Sequence, residues 1–338
     1  MPRQRQGSGA NGRKVTIADV ARRAGVSRAT VSRVLNGREN VDPVLAERVR
    51  RASRSLRYQP SATAQGLARG ATRTVGVVVP DLANPFFPDV VKALTIAAAK
   101  DDFSVVVADS DEDPEAEMRL ILDLSRRVDG LVLCSPRGRD TDLRRVVRGG
   151  LPTVCTNRSI DPPLTASVVI DSGHGMHAVL EHLSGLGHRR LAYLTGPPSS
   201  SSNAERLRAV KQGWPSPRPV IVPAGSKSQD GYQAVIAALD AGVTAIVCFN
   251  DLVALGALAR LRTLGVAVPD DVSVVGFDDI APAAFIQPAL TTVRLPKAEL
   301  GRRSWEILRD QLDRPAATPA IRLEPGLVIR ESTGKAAR

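Results

Sequence analysis

Hydrophobic positions near the start of the chain recur with the period of a helix. From Ile17 the apolar residues fall at i, i+3, i+4 and i+7, which predicts a helix with Thr16 as its N-cap. Gly25 ends this helix, a second short helix follows, and Asp42, which precedes a proline, opens a third. Three short helices with a tight turn between the first two predict a helix-turn-helix module over 14–59. In such a module the second helix enters the major groove of DNA.

After this module the pattern changes to short apolar runs that alternate with helical segments. Runs bounded by turns and separated by helices predict parallel strands in doubly wound sheets. The strand candidates are 75–79, 103–108, 130–134, 152–156, 167–171, 190–194, 244–249 and 272–277. They are too many for one such sheet, and a break near residue 171 predicts two subdomains with a cleft between them. The predicted fold class is therefore α/β, with an N-terminal three-helix helix-turn-helix domain and two doubly wound α/β subdomains.

Charge is divided unevenly between these parts of the chain. The 338 residues carry a formal net charge of +11, yet residues 1–73 hold 16 Lys and Arg against 4 Asp and Glu, and the rest is close to balanced. Residues 1–13 are predicted to form a disordered basic tail, but most of the excess charge lies in sequence that can fold. A small module with concentrated positive charge favours binding to a polyanion such as DNA.

The second predicted helix carries side chains suited to DNA. Arg28 and Arg33 can donate to guanine O6 and N7, and each bidentate pair contributes about 1–3 kcal/mol of discrimination between bases. Ser27, Thr30 and Ser32 are short donors that suit phosphate oxygens. The alternative interpretation is an ordinary solvated basic face. The turn before this helix and the segregation of charge favour DNA binding.

Two long segments resemble a known family. VTIADVARRAGVSRATVSRVLNG at 15–37 and RVRRASRSLRYQPSATAQGLA at 48–68 closely resemble the DNA-binding domain and hinge of the LacI/GalR family of bacterial transcriptional repressors. The resemblance continues through NPFF at 84–87, GLGHRRLAYLTGP at 185–197 and VSVVGFDD at 272–279. It implies that the larger part of the chain has the periplasmic-binding-protein-like fold and binds an effector.

The resemblance also implies roles for particular residues toward DNA. Arg28 and Ala29 match the positions that most often distinguish operators, and Arg33 matches a base contact. In the hinge, Leu67 matches a leucine wedge that enters the minor groove and kinks the DNA. The candidate DNA-binding residues are Thr16, Ser27, Arg28, Ala29, Thr30, Ser32, Arg33, Asn36, Ala64, Gln65 and Leu67.

Polar residues just after the strands are the candidate ligand contacts, because doubly wound sheets bind ligands at the carboxyl ends of their strands. Their hydroxyl, amide, carboxylate and guanidinium groups suit a polyhydroxylated ligand, with Phe86 and Phe87 as apolar walls. Asp251 has the alternative role of capping the helix that follows it. The segment after Arg206 is shorter than in the family, and Ser226 stands where an aromatic residue is common. The family resemblance implies effector-contacting positions at Asn157, Ser200, Ser202, Arg206, Asn250 and Asp278, and it adds Ser135. The candidate effector-binding residues are Phe86, Phe87, Ser135, Asn157, Ser200, Ser202, Arg206, Asn250, Asp251 and Asp278.

Motifs of other function classes are absent from the sequence. It contains no G-x-x-x-x-G-K-[ST] phosphate loop, no G-x-G-x-x-G after a strand and no G-x-S-x-G elbow, so we expect no enzyme activity. The three cysteines are far apart within apolar runs, so we expect neither disulfides nor a metal site, and no cofactor. Two alternatives stay open: a regulator of this type that acts without a small-molecule effector, and a transport-type sugar-binding protein, which the basic N-terminal module disfavours.

The sequence therefore predicts a sequence-specific transcriptional regulator, a homodimeric repressor of a carbohydrate-utilisation operon. Its expected partners are double-stranded DNA with a pseudo-palindromic operator and a small-molecule effector of the sugar class. We expect a cytoplasmic protein without a membrane partner, because no apolar run is long enough to span a bilayer and no secretory signal is evident. The predicted organisation is a tail at 1–13, the DNA-binding domain at 14–59, a hinge at 60–73, an effector-binding and dimerisation domain at 74–330 (first subdomain 74–171 and 293–320, second subdomain 172–292 and 321–330) and a tail at 331–338.

Overall fold

The computed structural model describes residues 15–35, 41–58, 71–160, 165–214, 217–314 and 319–337. The chain divides into two compact units, Met1–Thr72 and Arg73–Arg338. Four candidate DNA-binding residues lie outside the described residues, and their roles stay predictions: Asn36, Ala64, Gln65 and Leu67.

The first unit contains the three predicted helices. They are α1 (Ile17–Ala24), α2 (Arg28–Leu35) and α3 (Pro43–Ser55). Gly25 ends α1 with φ +65°, in the left-handed region that glycine adopts without strain, and the Asp42 carboxylate accepts the backbone N–H of Val44 at 2.7 Å as the cap of α3. Val20, Val31 and Val49, one from each helix, are fully buried in a common core. The helical spacing of apolar residues therefore predicted this small core correctly.

The second unit contains two parallel sheets. The first is formed by β1 (Thr74–Val79), β2 (Ser104–Asp109), β3 (Gly130–Cys134), β4 (Thr153–Thr156), β5 (Ala166–Ile170) and β11 (Ala320–Leu323). Its strand order is β11-β5-β4-β3-β1-β2, and all its paired strands are parallel. The helices around it are α4 (Phe86–Lys100), α5 (Pro114–Leu124), α6 (Asp140–Arg148) and α11 (Lys297–Asp313). Helices cover its central strands on both faces, which explains why β1 and β3 are continuous apolar runs.

The second sheet has four parallel strands in the order β7-β6-β8-β9. Its strands are β6 (Leu191–Thr195), β7 (Val220–Pro223), β8 (Ala245–Cys248) and β9 (Ser273–Val275). Its helices are α7 (Ser172–Gly185), α8 (Ser201–Gly213), α9 (Ser228–Asp240) and α10 (Asp251–Thr263), followed by a 3-10 turn at Ala281–Ala284. A separate antiparallel pair joins β10 (Thr292–Arg294) to β12 (Gly326–Val328). The predicted α/β fold with two doubly wound subdomains is confirmed.

One predicted boundary needs correction. We assigned 321–330 to the second subdomain, but β11 pairs with β5 in the first sheet, with Ile321 beside Val168 and Leu323 beside Ile170. The chain leaves the first sheet only after Leu323. The correction has a simple cause, because the alternating sequence AIRL offers a lone edge strand no long apolar run by which to recognise it.

Strand β2 differs from the other strands of the first sheet because its side chains are largely exposed. It lies at the edge of the sheet, and Val106 and Val107 expose 43% and 36% of their surface. An open edge strand with exposed valines is a template for pairing with another chain. This surface is therefore available for an interface.

Candidate functional site

Helix α2 presents the predicted DNA-binding side chains outside its buried face. Val31 and Val34 are buried against α1 and α3. The candidate side chains on this segment are exposed at Ser27, Arg28, Ala29 and Arg33 and half-buried at Thr30 and Ser32. The helix therefore presents two exposed cations, Arg28 and Arg33, with no ion pair to another described residue.

Hydrogen bonds at the helix ends hold α2 in place. The Ser27 hydroxyl accepts the backbone N–H of Thr30 at 3.1 Å, so Ser27 caps α2. At the start of α1, the backbone N–H and the hydroxyl of Thr16 both donate to the Asp19 carboxylate, at 3.0 and 2.7 Å. Arg48 on α3 donates to the carbonyl of Ala24, at 2.7 Å, and so ties α3 to the end of α1. Thr16 and Ser27 thus stabilise the module that positions the arginines.

A cleft lies at the carboxyl ends of strands from both sheets. Ser135 follows β3, Asn157 follows β4 and Asp278 follows β9. Their φ angles are +46°, +53° and +118°, in a region that residues other than glycine rarely adopt. Backbone strain of this kind is concentrated at functional sites, where the surrounding structure maintains it.

The side chains of both subdomains line this cleft closely. Between them they leave a cavity of about 30 Å³, well below the roughly 300–1,000 Å³ of typical ligand pockets. A ligand that needs a pocket of that size requires the walls to separate or side chains to rearrange. The lining residues are Asn84, Phe86, Phe87, Glu112, Ser135, Arg137, Asn157, Ser200, Ser202, Arg206, Ser226, Phe249, Asn250, Asp278 and Leu295.

Arg206, on α8, is the most enclosed cation of the cleft. Its guanidinium lies 3.5 Å from the centroid of the Phe277 ring and donates to the carbonyl of Phe249. Its Nη2 is 3.9 Å from Oδ1 of Asp278, beyond hydrogen-bond distance, and its Nε has no hydrogen-bond partner among the described residues. A buried donor without a partner is costly, so the Arg206 Nε–H is an unused donor among the described residues of the cavity lining.

Asn157 supplies the complementary acceptor. Its Nδ2 donates to the Ser135 hydroxyl at 3.2 Å, whereas its Oδ1 is buried without a partner in the described part of the chain. The backbone carbonyl of Asn157 accepts a hydrogen bond from Ser201 at the start of α8, at 3.0 Å, so this residue also joins the two subdomains. Asn157 and Arg206 therefore place an unpaired acceptor and an unpaired donor in the walls of one cavity.

Comparison with known proteins gives the same organisation. A sequence model described as bacterial regulatory proteins of the lacI family matches residues 16–61, and one described as a periplasmic binding protein-like domain matches residues 180–333. The chain is 32% identical over 333 residues to the HTH-type transcriptional repressor PurR of Mannheimia succiniciproducens. The alignment covers 95% of this chain and 99% of that protein.

Two solved structures are similar to this chain over nearly its whole length. One is the lac repressor dimer bound to operator and the anti-inducer ONPF, with a TM-score of 0.83 and 31% identity over 95% of this chain and 100% of that one. Another is a complex of the transcriptional regulator CelR with cellobiose, with a TM-score of 0.70 and 31% identity over 94% of this chain and 99% of that one.

The chain belongs to the LacI family. It is a DNA-binding transcription regulator, and its partners are double-stranded DNA, a second copy of the chain and a small-molecule effector. The resemblance stated from the sequence is confirmed, and the relatives compared are transcription regulators.

The structure brings all the predicted effector residues of this LacI-family cleft together except one. Asp251 does not line the cavity. Its buried carboxylate accepts the hydroxyl of Thr292 and the backbone N–H of Ile280, so it connects α10 to β10 and the 3-10 turn. Nor is it the cap of α10, because the Asn250 side chain takes that role by accepting the N–H of Val253 at 2.9 Å.

Sequence reasoning missed two charged residues of the LacI-family cleft, Glu112 and Arg137. Glu112 comes soon after β2 and Arg137 soon after β3, so the rule about polar residues after strands applies to both. Both are hard to recognise in the sequence, because each lies a few residues beyond the end of its strand. Asn84, Phe249 and Leu295 were also missed, and Ser226 was noted only as a departure from the family pattern.

The buried carboxyl of Asp278 predicts a dependence of stability on pH. Burial raises its pKa to about 7, because Arg206 at 3.9 Å offsets only part of the desolvation. An aspartate titrates near 3.9 when unfolded, so the stability that Asp278 contributes is present below pH ~4 and is lost as the pH rises through about 7.

We therefore expect the free energy of unfolding of the wild type, relative to Asp278→Asn, to fall by about 2–3 kcal/mol between pH 5 and pH 8. Urea titrations of both proteins at several pH values measure this difference. A difference that stays constant with pH would show that the carboxyl titrates alike in the folded and unfolded chains.

Proposed function

We propose that this regulator is a repressor of a carbohydrate-utilisation operon and that a sugar changes its affinity for a pseudo-palindromic operator. The observation that carries the proposal is a pair of buried groups that line one cavity and have no hydrogen-bond partner in the described part of the chain, Nε of Arg206 and Oδ1 of Asn157. A sugar carries several hydroxyls, each able to accept and to donate a hydrogen bond, so its hydroxyls supply the partner types that both groups need. The cellobiose bound to CelR supports a ligand of the same class.

The DNA side of the proposal rests on α2. Arg28 and Arg33 read base edges in the major groove, and Ala29 contacts a thymine methyl. Thr30 and Ser32 face the phosphate backbone, while Thr16 and Ser27 hold the helices in position. We expect a regulator that binds DNA to work in the cytoplasm. Among the described residues, no helix has the length and apolar character of a membrane span.

Coupling between the two sites follows from the narrowness of the cleft. Ser201 reaches across to the carbonyl of Asn157, and Lys227 at the start of α9 forms an ion pair with Asp111, after β2, at 2.8 Å. A sugar that enters the cavity alters these contacts and with them the relative position of the subdomains. We expect a coupling free energy of roughly 1–3 kcal/mol between sugar binding and operator binding, which is the usual range for allosteric proteins.

The proposal is tested by a thermal-shift screen against neutral sugars and polyols, followed by operator release with each sugar that raises the Tm. A sugar that both raises the Tm and changes operator affinity supports the proposal. Sugars that raise the Tm without changing operator affinity would contradict the coupling. If no sugar or polyol raises the Tm at millimolar concentration, the regulator works without an effector of this class.

The exposed edge of β2 is the proposed contact between the two copies. A buried lysine in place of Val106 would lie in an apolar interface without a partner, so Val106→Lys should raise the dimer dissociation constant at least about a hundredfold and lower operator affinity with it. Operator affinity falls because two recognition helices must reach two half-sites. Sedimentation velocity over a range of protein concentrations measures the change.

Leu264→Lys is the matched control, since Leu264 is also 43% exposed but follows α10 in the second subdomain. It introduces the same charge on another surface and should leave the dimer intact. If Val106→Lys has the dimer dissociation constant of the wild type, β2 is not part of the contact between the two copies.

A further inference from the structure

A buried ion pair between Arg137 and Glu112 forms part of the cleft wall. Nε and Nη2 of Arg137 donate to the two carboxylate oxygens of Glu112 at 2.6 and 3.0 Å, and Nη1 donates to the carbonyl of Ser135 at 2.8 Å. The two side chains expose only 4% and 14% of their surface. A bidentate, charge-assisted contact of this kind fixes the guanidinium firmly.

A second carboxylate lies on the backbone side of Arg137. Both oxygens of Glu117, on α5, accept the N–H of Arg137, at 3.0 and 2.8 Å, and one of them also accepts the N–H of Gly138 at 2.8 Å. The Glu117 side chain is buried. Arg137 therefore contacts two carboxylates, Glu112 through its guanidinium and Glu117 through its backbone N–H.

The backbone at Asp111 and Glu112 directs two neighbouring carboxylates to different partners. Their φ angles are +48° and +62°, and each such left-handed residue costs on the order of 1 kcal/mol. Asp111 contacts Lys227 at the start of α9, whereas Glu112 contacts Arg137. The strained turn is thus associated with the neutralisation of two cations beside the cleft.

Each cation among the described residues of the cavity lining has an acidic residue beside it. The lining contains two cations, Arg137 and Arg206, and two acidic residues, Glu112 and Asp278, one beside each cation. A ligand with a phosphate or carboxylate group would meet no cation without an acidic neighbour and would be repelled by Glu112. A hydroxylated neutral ligand meets donors and acceptors without this repulsion.

We propose that the cleft selects a neutral polyhydroxylated ligand over an anionic one, and that Glu112 sets this selectivity by neutralising Arg137. The inference rests on the proposed function, in which this cleft is the effector site, and deepens it to a charge class. Arg137 is then a positioned donor toward ligand hydroxyls, and Glu112 is the residue that prevents it from binding an acidic group.

The test compares matched sugars on the full-length protein. Calorimetric titrations use glucose, galactose and ribose beside glucose 6-phosphate, galacturonate and ribose 5-phosphate. The wild type should bind a neutral sugar at least about tenfold more tightly than its anionic counterpart. Glu112→Gln should reduce this ratio by about ten- to a hundredfold, because the released guanidinium makes a charge-assisted contact with the anion.

Two further variants make the outcome specific. Glu112→Asp keeps the negative charge and should keep the preference for neutral sugars. Asp123→Asn removes an equal charge from Asp123 of α5, which forms an exposed ion pair with Arg127, and it should leave the ratio of affinities unchanged. If Glu112→Gln does not unfold cooperatively, Glu112→Ala releases the same guanidinium.

The outcomes separate the two proposals. Tighter wild-type binding of an anionic sugar, or an unchanged ratio in Glu112→Gln, would overturn the assignment of Glu112 while leaving a sugar-responsive regulator. If no sugar of either charge class binds the wild type, the proposed effector function fails and this inference with it.

Discussion

Replacing Arg33 by alanine should abolish selective binding to the operator while leaving the protein folded. Arg33 is exposed on α2, outside the face that Val31 and Val34 bury, so its loss disturbs no packing. A bidentate arginine–guanine contact contributes about 1–3 kcal/mol, and a dimer uses two copies. Operator affinity should therefore fall by a factor of roughly 30 to 20,000, as measured by fluorescence anisotropy against operator and scrambled duplexes at one salt concentration.

The operator for this measurement comes from selection of random duplexes with the wild-type protein. Arg54→Ala is the matched control, because Arg54 is an exposed cation on α3 that pairs with Glu47 at 2.8 Å. It should weaken binding to both duplexes slightly and equally. Equal losses for the two duplexes with Arg33→Ala would instead place Arg33 on the phosphate backbone, and a lowered Tm would indicate a folding defect.

Replacing Arg206 should eliminate the effector response without weakening operator binding in the absence of ligand. Arg206→Ala removes the cation that lowers the pKa of the buried Asp278, so in this variant the Asp278 carboxyl should stay protonated to a higher pH. The variant should also be less stable, because the packing of the guanidinium against Phe277 is lost. Arg206→Lys separates the two effects, since lysine keeps the charge but lacks the planar donors that reach Phe249 and a ligand oxygen. Both variants should fail to release operator with any sugar that releases the wild type.

Arg208→Ala is the control for this pair, because Arg208 lies on the same helix two residues later but is exposed. It should respond to the sugar as the wild type does. The measurements are the ligand-induced change in Tm and the anisotropy of labelled operator at rising sugar concentration. A wild-type response in Arg206→Lys would show that the guanidinium fork makes no ligand contact.

Local patterns made much of the fold predictable. The helices of the DNA-binding module follow from apolar spacing and from caps such as Asp42, whose hydrogen bond to Val44 spans two residues. The buried strands β1 and β3 are apolar on both faces, so they stand out in any sequence. Residues directly after predicted strands, such as Asn157 and Asp278, line the cleft because parallel strands end at one edge.

The missed features depend on distant partners. The pair between Arg137 and Glu112 joins residues 25 apart in sequence, and nothing near either residue indicates it. Asp251 was misplaced because a carboxylate after a strand looks the same whether it faces a ligand or accepts a buried hydroxyl from Thr292, 41 residues away. Long side chains and returning strands of this kind are fixed only when the fold is complete.

The late return of the chain to its first sheet has a consequence for synthesis. Strand β11 pairs with β5, and Trp305 of α11 is buried against the same sheet, so the first sheet lacks two of its elements until nearly the whole chain has left the ribosome. The core of the helix-turn-helix module contains only residues of its own three helices and their neighbours, so this module can fold long before the first sheet is complete. We therefore expect each nascent chain to carry a folded DNA-binding module for some time before its effector-binding domain has folded.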